Sequence, residues 1–309
     1  MLISNLTIFD IFNKCDNIYF IIAYCKLNKN DLILYINDKE VMLNEEMINK
    51  DGDLPIIIFH YKYSKQENEI LNSIIKYKNE KHHFVMKSII PNNFTLTYTT
   101  LFKYDYKVFE TTYNYYIKQG VEHFYLYYNG IINEEIQNHF KDYNNITLIE
   151  WNYPYRMGQS HYAQSGQINS ALYKYGKNNS KYMIFCDFDE YLYIDDNTNI
   201  ITYLINTDLD LIGFRNRWSL TDNNDIPTQL ESFSACKRLI PYKERSKNIY
   251  KTSEFKFLGV HSPAFPLYEN VISKNVDMEM FHFYFWSGSR KKFHEQEQHW
   301  TFIKRIINI

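Results

Sequence analysis

The sequence predicts an α/β chain: a largely parallel sheet flanked by helices, with a smaller β-rich unit ahead of it. Three observations carry that prediction. From residue 94 onward, β-branched and aromatic runs alternate with segments of helical period, the pattern of strand–helix–strand units. One run, Tyr182–Cys186, is continuously apolar, as expected of a strand covered on both faces. Before residue 90 the apolar runs are short, and polar or Gly-containing breaks such as Lys50-Asp51-Gly52-Asp53 separate them, which reads as a run of strands.

The N-terminal runs are Asn17–Lys26, Asp31–Ile36, Leu54–Tyr63 and His83–Ile90, with a helix as the reading for Glu67–Tyr77. Pro91-Asn92-Asn93 marks a boundary. The chain is thus expected to divide into a β-rich accessory unit, 1–92, and a catalytic α/β domain, 93–309. In the second, Phe94–Phe102 is a strand. Asp105 is placed to cap a helix with apolar positions Tyr106, Phe109, Tyr113, Tyr116 and Ile117, stopped by Gly120. His123–Tyr128 is the next strand, ended by Asn129-Gly130. A short helix over Asn133–Tyr143 leads to a strand over Ile146–Trp151. After a loop with Pro154, Arg156 and Gly158, a helix over Ala163–Tyr175 carries Ile168, Ala171, Leu172 and Tyr175 on one face. Tyr182–Cys186 is the fourth strand. Sheets of this kind bind ligands beyond the carboxyl ends of their strands, which places Tyr104, Asn129 and Asp187–Glu190 at the ligand-binding edge.

A chain of 309 residues with 45% hydrophobic content can bury the core this requires. The formal net charge of −2 leaves no basic excess to neutralise phosphates, so no nucleic-acid partner is expected. Arg290-Lys291-Lys292 reads as a solvated helix start. Cys15, Cys25, Cys186 and Cys236 show neither CxxC spacing nor a disulfide framework. The most apolar early run, Ile18–Tyr24, is far short of the ~20 residues a bilayer requires. No transmembrane segment or signal peptide is therefore expected, and the chain reads as soluble and cytoplasmic.

Asp187-Phe188-Asp189-Glu190 follows directly on the fourth strand. In extended backbone, residues two apart share a side, so Asp187 and Asp189 converge while Phe188 turns into the core. Mg²⁺ and Mn²⁺ take oxygen ligands of this kind and keep positions open for phosphate oxygens. An acidic loop ending a strand in solvent is the bland alternative, and the three strand–helix units before it favour a site. Glu190 is expected to face away from the pair. A phosphoaspartate phosphatase would need Thr or Val where Tyr191 stands, and an EF-hand loop its Gly and distal Glu; neither pattern fits.

Several further segments fall in a recognisable order. Phe109–Gly120 precedes His123-Phe124-Tyr125-Leu126-Tyr127-Tyr128-Asn129, then come Ile149-Glu150-Trp151 and Gln164 with Asn169 and Leu172. Phe185–Leu192, Lys247–Lys251, Val260-His261 and Phe281-His282-Phe283-Tyr284 follow. From about Leu96 to Trp286 this order resembles glycosyltransferase family 92 and related family-2-like enzymes. Ser219-Leu220-Thr221 departs from the family's pattern after Trp218. The resemblance implies the GT-A fold, a Rossmann-like mixed, largely parallel sheet flanked by helices. It also implies metal-dependent transfer of a sugar, often galactose, from a nucleoside diphosphate donor such as UDP to a glycan or protein acceptor, with inversion. The first ~90 residues share no such resemblance.

On that resemblance Asp187 and Asp189 hold Mn²⁺ or Mg²⁺ and the donor diphosphate. His261, in the loop-like Gly259-Val260-His261-Ser262-Pro263, is the expected third ligand, and His282 is the other histidine weighed. A packed, hydrogen-bonded core histidine is the other reading of His261 and the preferred one of His282. His294 and His299 are five apart, unlike a zinc helix. Tyr104, Asn129, Arg156 and Gln164 are placed to contact the nucleotide sugar, or else serve as turn, cap or surface residues. Inversion needs a base for the acceptor hydroxyl. Asp222 is the first candidate and Asp225 the second, each with a simple turn role as the alternative. Trp218 reads as a sugar-stacking ring or as core. A non-catalytic carbohydrate-binding or scaffold protein of the same fold is the competing function.

Overall fold

Phe94–Phe102, His123–Tyr128, Ile146–Glu150 and Ser180–Phe185 form four parallel strands in the computed structural model of the chain. The structure describes residues 2–3, 6–24, 31–41, 44–48, 56–63, 71–86, 88–157, 161–195, 198–237, 242–260, 265–266, 272–274, 278–286 and 301–307. Across the sheet the order is Ile146–Glu150, His123–Tyr128, Phe94–Phe102, Ser180–Phe185. The first strand in the chain therefore lies beside the fourth. The strand order reverses at that junction, and a crevice opens beyond the carboxyl ends.

Alternate residues of these strands enter opposite cores. Leu96, Tyr98, Phe124, Leu126, Tyr182 and Ile184 pack with Phe109, Tyr116 and Phe188 on one side. Leu101, Tyr125, Tyr127, Met183 and Phe185 pack with Trp151 and Ile168 on the other. Burial on both faces explains why the runs are apolar at successive positions. Helix Phe109–Lys118 buries Phe109, Thr111, Thr112, Tyr115 and Tyr116; Ile117, expected on its apolar face, is exposed.

The sheet is mixed rather than largely parallel. Beyond Ser180–Phe185 it continues antiparallel through Tyr242–Lys251, Leu211–Leu220, Ser232–Cys236 and Phe302–Ile306. Parallel neighbours need long crossovers, usually helical, and past Phe185 the described residues hold one α-helix, Ile200–Thr207. Glu190–Tyr193 pairs antiparallel with Glu279–Phe283, which runs parallel to Leu211–Leu220. No described helix is long and apolar enough to cross a membrane.

Before residue 90 the chain forms two antiparallel sheets. One contains Leu6–Lys14, Asn17–Tyr24 and Ile56–Lys62, the other Leu32–Ile36, Leu71–Tyr77 and Glu80–Met86. The helix expected over Glu67–Tyr77 is corrected by the strand Leu71–Tyr77, in which Leu71, Ser73, Ile75 and Tyr77 are buried at period two. Residues 64–70 lie outside the described residues.

Leu6–Lys14 lies against the helix Tyr162–Ala171 and the turn Leu172–Gly176 that extends it. Phe9 stacks on Trp151 with ring centroids 5.7 Å apart, and its centroid lies 4.9 Å from those of Tyr153 and Tyr162. The Tyr153 hydroxyl shares its hydrogen between the Ile8 and Phe9 carbonyls, 2.9 Å from each. Buried Lys14 donates to the carbonyls of Tyr173 (3.3 Å), Lys174 (2.8 Å) and Lys177, satisfying groups that a helix end leaves without partners. Asp10 accepts from Ser170 Oγ at 2.6 Å and pairs with Lys174 at 3.1 Å.

The close approach of Phe9 requires Gly166. A Cβ there would stand 2.7 Å from three carbons of the Phe9 ring, and a caged ring cannot swing aside. Gly166→Val is expected to destabilise the chain by about 1–3 kcal/mol, more than the few tenths gained by removing a helical glycine. Urea denaturation measures this, and Phe9→Leu in the same chain should recover part of the loss.

Candidate active site

The acidic segment after Ser180–Phe185 is held by its backbone. The Tyr98 hydroxyl donates to the carbonyls of Cys186 (2.9 Å) and Asp187 (3.1 Å). Thr112 Oγ1 donates to Phe188 O at 2.7 Å, the Phe283 amide to Asp189 O at 2.8 Å, and the Tyr116 hydroxyl to Glu190 O at 2.8 Å. Every carbonyl from Cys186 through Glu190 is thus fixed by a neighbouring strand or helix. The Phe188 ring is fully buried, with centroids 5.1 Å from Phe102 and 5.3 Å from Phe109.

The segment is a turn and not the extended backbone expected from its spacing. The Glu190 amide donates to Asp187 O at 3.1 Å, and Glu190 Oε2 accepts from the Asp187 amide at 2.8 Å. Glu190 therefore folds back on Asp187 instead of facing away. The anchored Phe188 ring and this reciprocal pair bend the chain, and the bend delivers Asp187 and Asp189 to one cavity.

That cavity has a volume of about 810 Å³ and opens at the carboxyl ends of the parallel strands. Its walls include Tyr104, Asp105, Asn129, Tyr155, Arg156, Asp187, Asp189 and His282. Asp187 Oδ2 lies 2.9 Å from Lys247 Nζ, and its Oδ1 lies 3.4 Å from Gln164 Nε2. Lys247 Nζ also lies 2.9 Å from Glu190 Oε2. Burial alone would lower the Lys247 ammonium, but Asp187 and Glu190 outweigh it and hold the ammonium well above its usual range. His282, the cross-strand partner of Glu190, sets Nε2 3.4 Å from Asp189 Oδ2. Its ring packs on Trp218 at 4.6 Å.

Asp105 makes no capping bond to the turn Tyr106–Val108 that follows it, which corrects the cap role expected of it. Its Oδ1 accepts from the Lys103 amide at 3.2 Å, and it lines the cavity. Desolvation, then the charges of Asp189 and Asp187, push its carboxyl from 3.8 up to about 7. The folded chain thus keeps a proton there that the unfolded chain releases near pH 4. Stability should fall as pH rises from about 4 through about 7. Asp105→Asn should remove that part of the slope, read by urea unfolding across this range.

The structure brings most of the expected site residues together. Tyr104 is 75% exposed at the cavity mouth, and exposed Arg156 stands on its wall. Gln164 is buried and bridges the Tyr155 hydroxyl (3.3 Å) and Asp187. Asn129 is buried, and its Nδ2 donates to the carbonyls of Trp151 (2.9 Å) and Tyr153 (2.8 Å), so it ties two wall segments together. Asp222 and Asp225 are not brought in. Both are exposed at the turn Asp222–Asn224, beyond the end of Leu211–Leu220, and neither lines the cavity. Trp218 is 2% exposed and supports His282 from below rather than offering a face to a sugar. His261, Arg290–Lys292 and His294–His299 lie outside the described residues. Among the described residues no three His, Cys, Asp or Glu side chains close into a metal cage. Sequence reasoning missed Asp105 as a cavity residue and Lys247 as the buried partner of Asp187 and Glu190. Lys247 opens the family-like segment Lys247–Lys251, but its strand also carries Lys243 and Lys251, and nothing local marks which of the three lysines is buried.

The glycosyltransferase family 92 model matches residues 92–300, about two-thirds of the chain. A comparison with curated proteins finds no match. The matched span holds the four parallel strands, the cavity and the acidic turn, and excludes the two N-terminal sheets. As an enzyme that moves a sugar from a donor to an acceptor, the chain belongs to glycosyltransferase family 92.

Proposed function

We propose that the cavity binds a nucleoside diphosphate sugar with UDP as the nucleotide, in a GT-A arrangement, and that the enzyme passes the sugar to a glycan or protein acceptor with inversion, aided by Mn²⁺ or Mg²⁺. One observation carries this reading: Asp187 and Asp189 open into a single cavity at the carboxyl ends of four parallel strands. Its volume of about 810 Å³ lies within the range of small-ligand sites. The donor set fits a hard cation, because such ions take one or two carboxylates and complete their shell with phosphate oxygens and water. Asp187 and Asp189 would hold it. When bound, the cation neutralises charge on the departing diphosphate.

The chain's own residues do the rest. Lys247 and Gln164 orient Asp187, and His282 orients Asp189. Arg156 and Lys103 supply positive charge on the walls, and the exposed Tyr104 ring offers a stacking face for the base. We place the acceptor's proton on Asp105 in preference to Asp222 or Asp225, since Asp105 lines the cavity with Asp187 and Asp189 while the other two stand at an exposed turn outside it.

The test is metal-dependent hydrolysis or transfer across a panel of nucleotide sugars. One UDP-sugar should be turned over with Mn²⁺, and Asp187→Ala and Asp189→Ala should each lose that response. No response to any donor would overturn the reading, and equal response in all three proteins would remove these residues from the site.

A further inference from the structure

Lys247 belongs to the strand Tyr242–Lys251, which lies between Ser180–Phe185 and Leu211–Leu220. Its side chain is only 3% exposed, beneath the acidic turn. The ammonium stands 2.9 Å from both Asp187 Oδ2 and Glu190 Oε2. The same Glu190 oxygen accepts the Asp187 amide at 2.8 Å. Asp187 is therefore gripped twice, at one carboxylate oxygen and at its backbone.

Lysines are almost never fully buried unless paired. Desolvating an ammonium costs several kcal/mol, and an apolar residue in place of such a pair is often neutral or stabilising. Stability alone is thus a weak reason for a lysine here. What the ammonium adds is charge and direction. Asp187, Asp189 and Glu190 together would put three negative charges under a cavity meant for an anion. Lys247 cancels one of them from below, in a low-dielectric position that salt screens poorly.

We propose that Lys247 is a positioning residue for the donor diphosphate: it fixes the Asp187 carboxylate and lowers the negative charge that the diphosphate meets. The inference rests on reading the cavity as the donor site.

Calorimetric titration with UDP in EDTA, and separately with Mn²⁺ alone, tests it. Lys247→Met should weaken UDP binding roughly tenfold and tighten Mn²⁺ binding by a similar factor. Lys247→Arg should fall between the two for both ligands. Lys247→Met leaves Glu190 buried without its partner and endangers folding, so Glu190→Gln provides the mirror case. It keeps the Lys247–Asp187 pair and removes one negative charge, so UDP should bind tighter and Mn²⁺ weaker. Opposite signs for the two ligands are what a merely structural residue would not produce. Parallel weakening of both, or no change in either, would overturn the role of Lys247. Wild-type protein that binds neither UDP nor Mn²⁺ would instead overturn the donor-site reading.

Discussion

Asp189→Ala is expected to lower kcat by roughly 10²–10³-fold, equivalent to about 3–4 kcal/mol of transition-state stabilisation, while leaving the chain folded. Asp189 is 4% exposed, yet it lines the cavity. Its main chain is fixed by Phe283, and its carboxylate meets His282 Nε2 at 3.4 Å. Removing it deletes one of two hard oxygen donors at the proposed diphosphate site, and His282 loses one of its two acidic neighbours while keeping Glu190 Oε1 3.7 Å from Nδ1. The backbone clamps on Cys186–Glu190 do not depend on the Asp189 side chain, so the turn should persist. Steady-state kinetics beside circular dichroism measures both halves of this expectation. Asp189→Asn, which keeps the shape and loses the charge, should fall between wild type and Asp189→Ala. A variant that unfolds, or one that turns over as wild type does, would contradict the account of the turn or of the site.

Phe9→Ala should have the largest effect on stability, about 3–5 kcal/mol by urea denaturation. Phe9 is 4% exposed and sits among Trp151, Tyr153, Tyr162 and Gly166. None of its atoms lines the cavity, but Tyr153 does, and Phe9 and the neighbouring carbonyl of Ile8 hold Tyr153 in place. The donor KM should therefore rise several-fold, with a smaller change in kcat, when kinetics are run at a temperature where the variant is still folded. Tyr153→Phe removes only the hydroxyl contacts and should cost about 1 kcal/mol. A change of less than 1 kcal/mol in Phe9→Ala would show that the N-terminal strand does not brace the site.

The parallel strands could be read from the sequence because the three inner ones are buried on both faces, the half-buried edge strand Ile146–Glu150 is still mostly apolar, and turn residues bound each run. Phe94–Phe102 and His123–Tyr128 begin and end where those signals stand. Leu71–Tyr77 was obscured by Ser73, a polar residue that is 1% exposed and hides the period-two pattern. The antiparallel half was not legible, because its pairings join distant segments: Ser180–Phe185 takes Tyr242–Lys251 as its antiparallel neighbour, and no local period records that choice.

The acidic turn was legible as carboxylates following a buried strand. Its bend was not, since it depends on Glu190 bonding the Asp187 amide and on Lys247, 60 residues beyond Asp187. Asp105 carries the composition of a helix cap, and only the fold shows that its carboxyl faces two others across a cavity. Asp222 and Asp225 stand close to Trp218 in sequence, but the strand runs on to Leu220 and leaves them at an exposed turn.

The central claim is that the cavity over Asp187 and Asp189 is the donor site. Diffraction from crystals soaked with UDP and Mn²⁺ tests it most directly. The account predicts an anomalous Mn²⁺ peak at coordinating distance from Asp187 or Asp189, with the UDP diphosphate against it and the base towards Tyr104. UDP or Mn²⁺ bound elsewhere on the molecule, with this cavity holding only solvent, would contradict it.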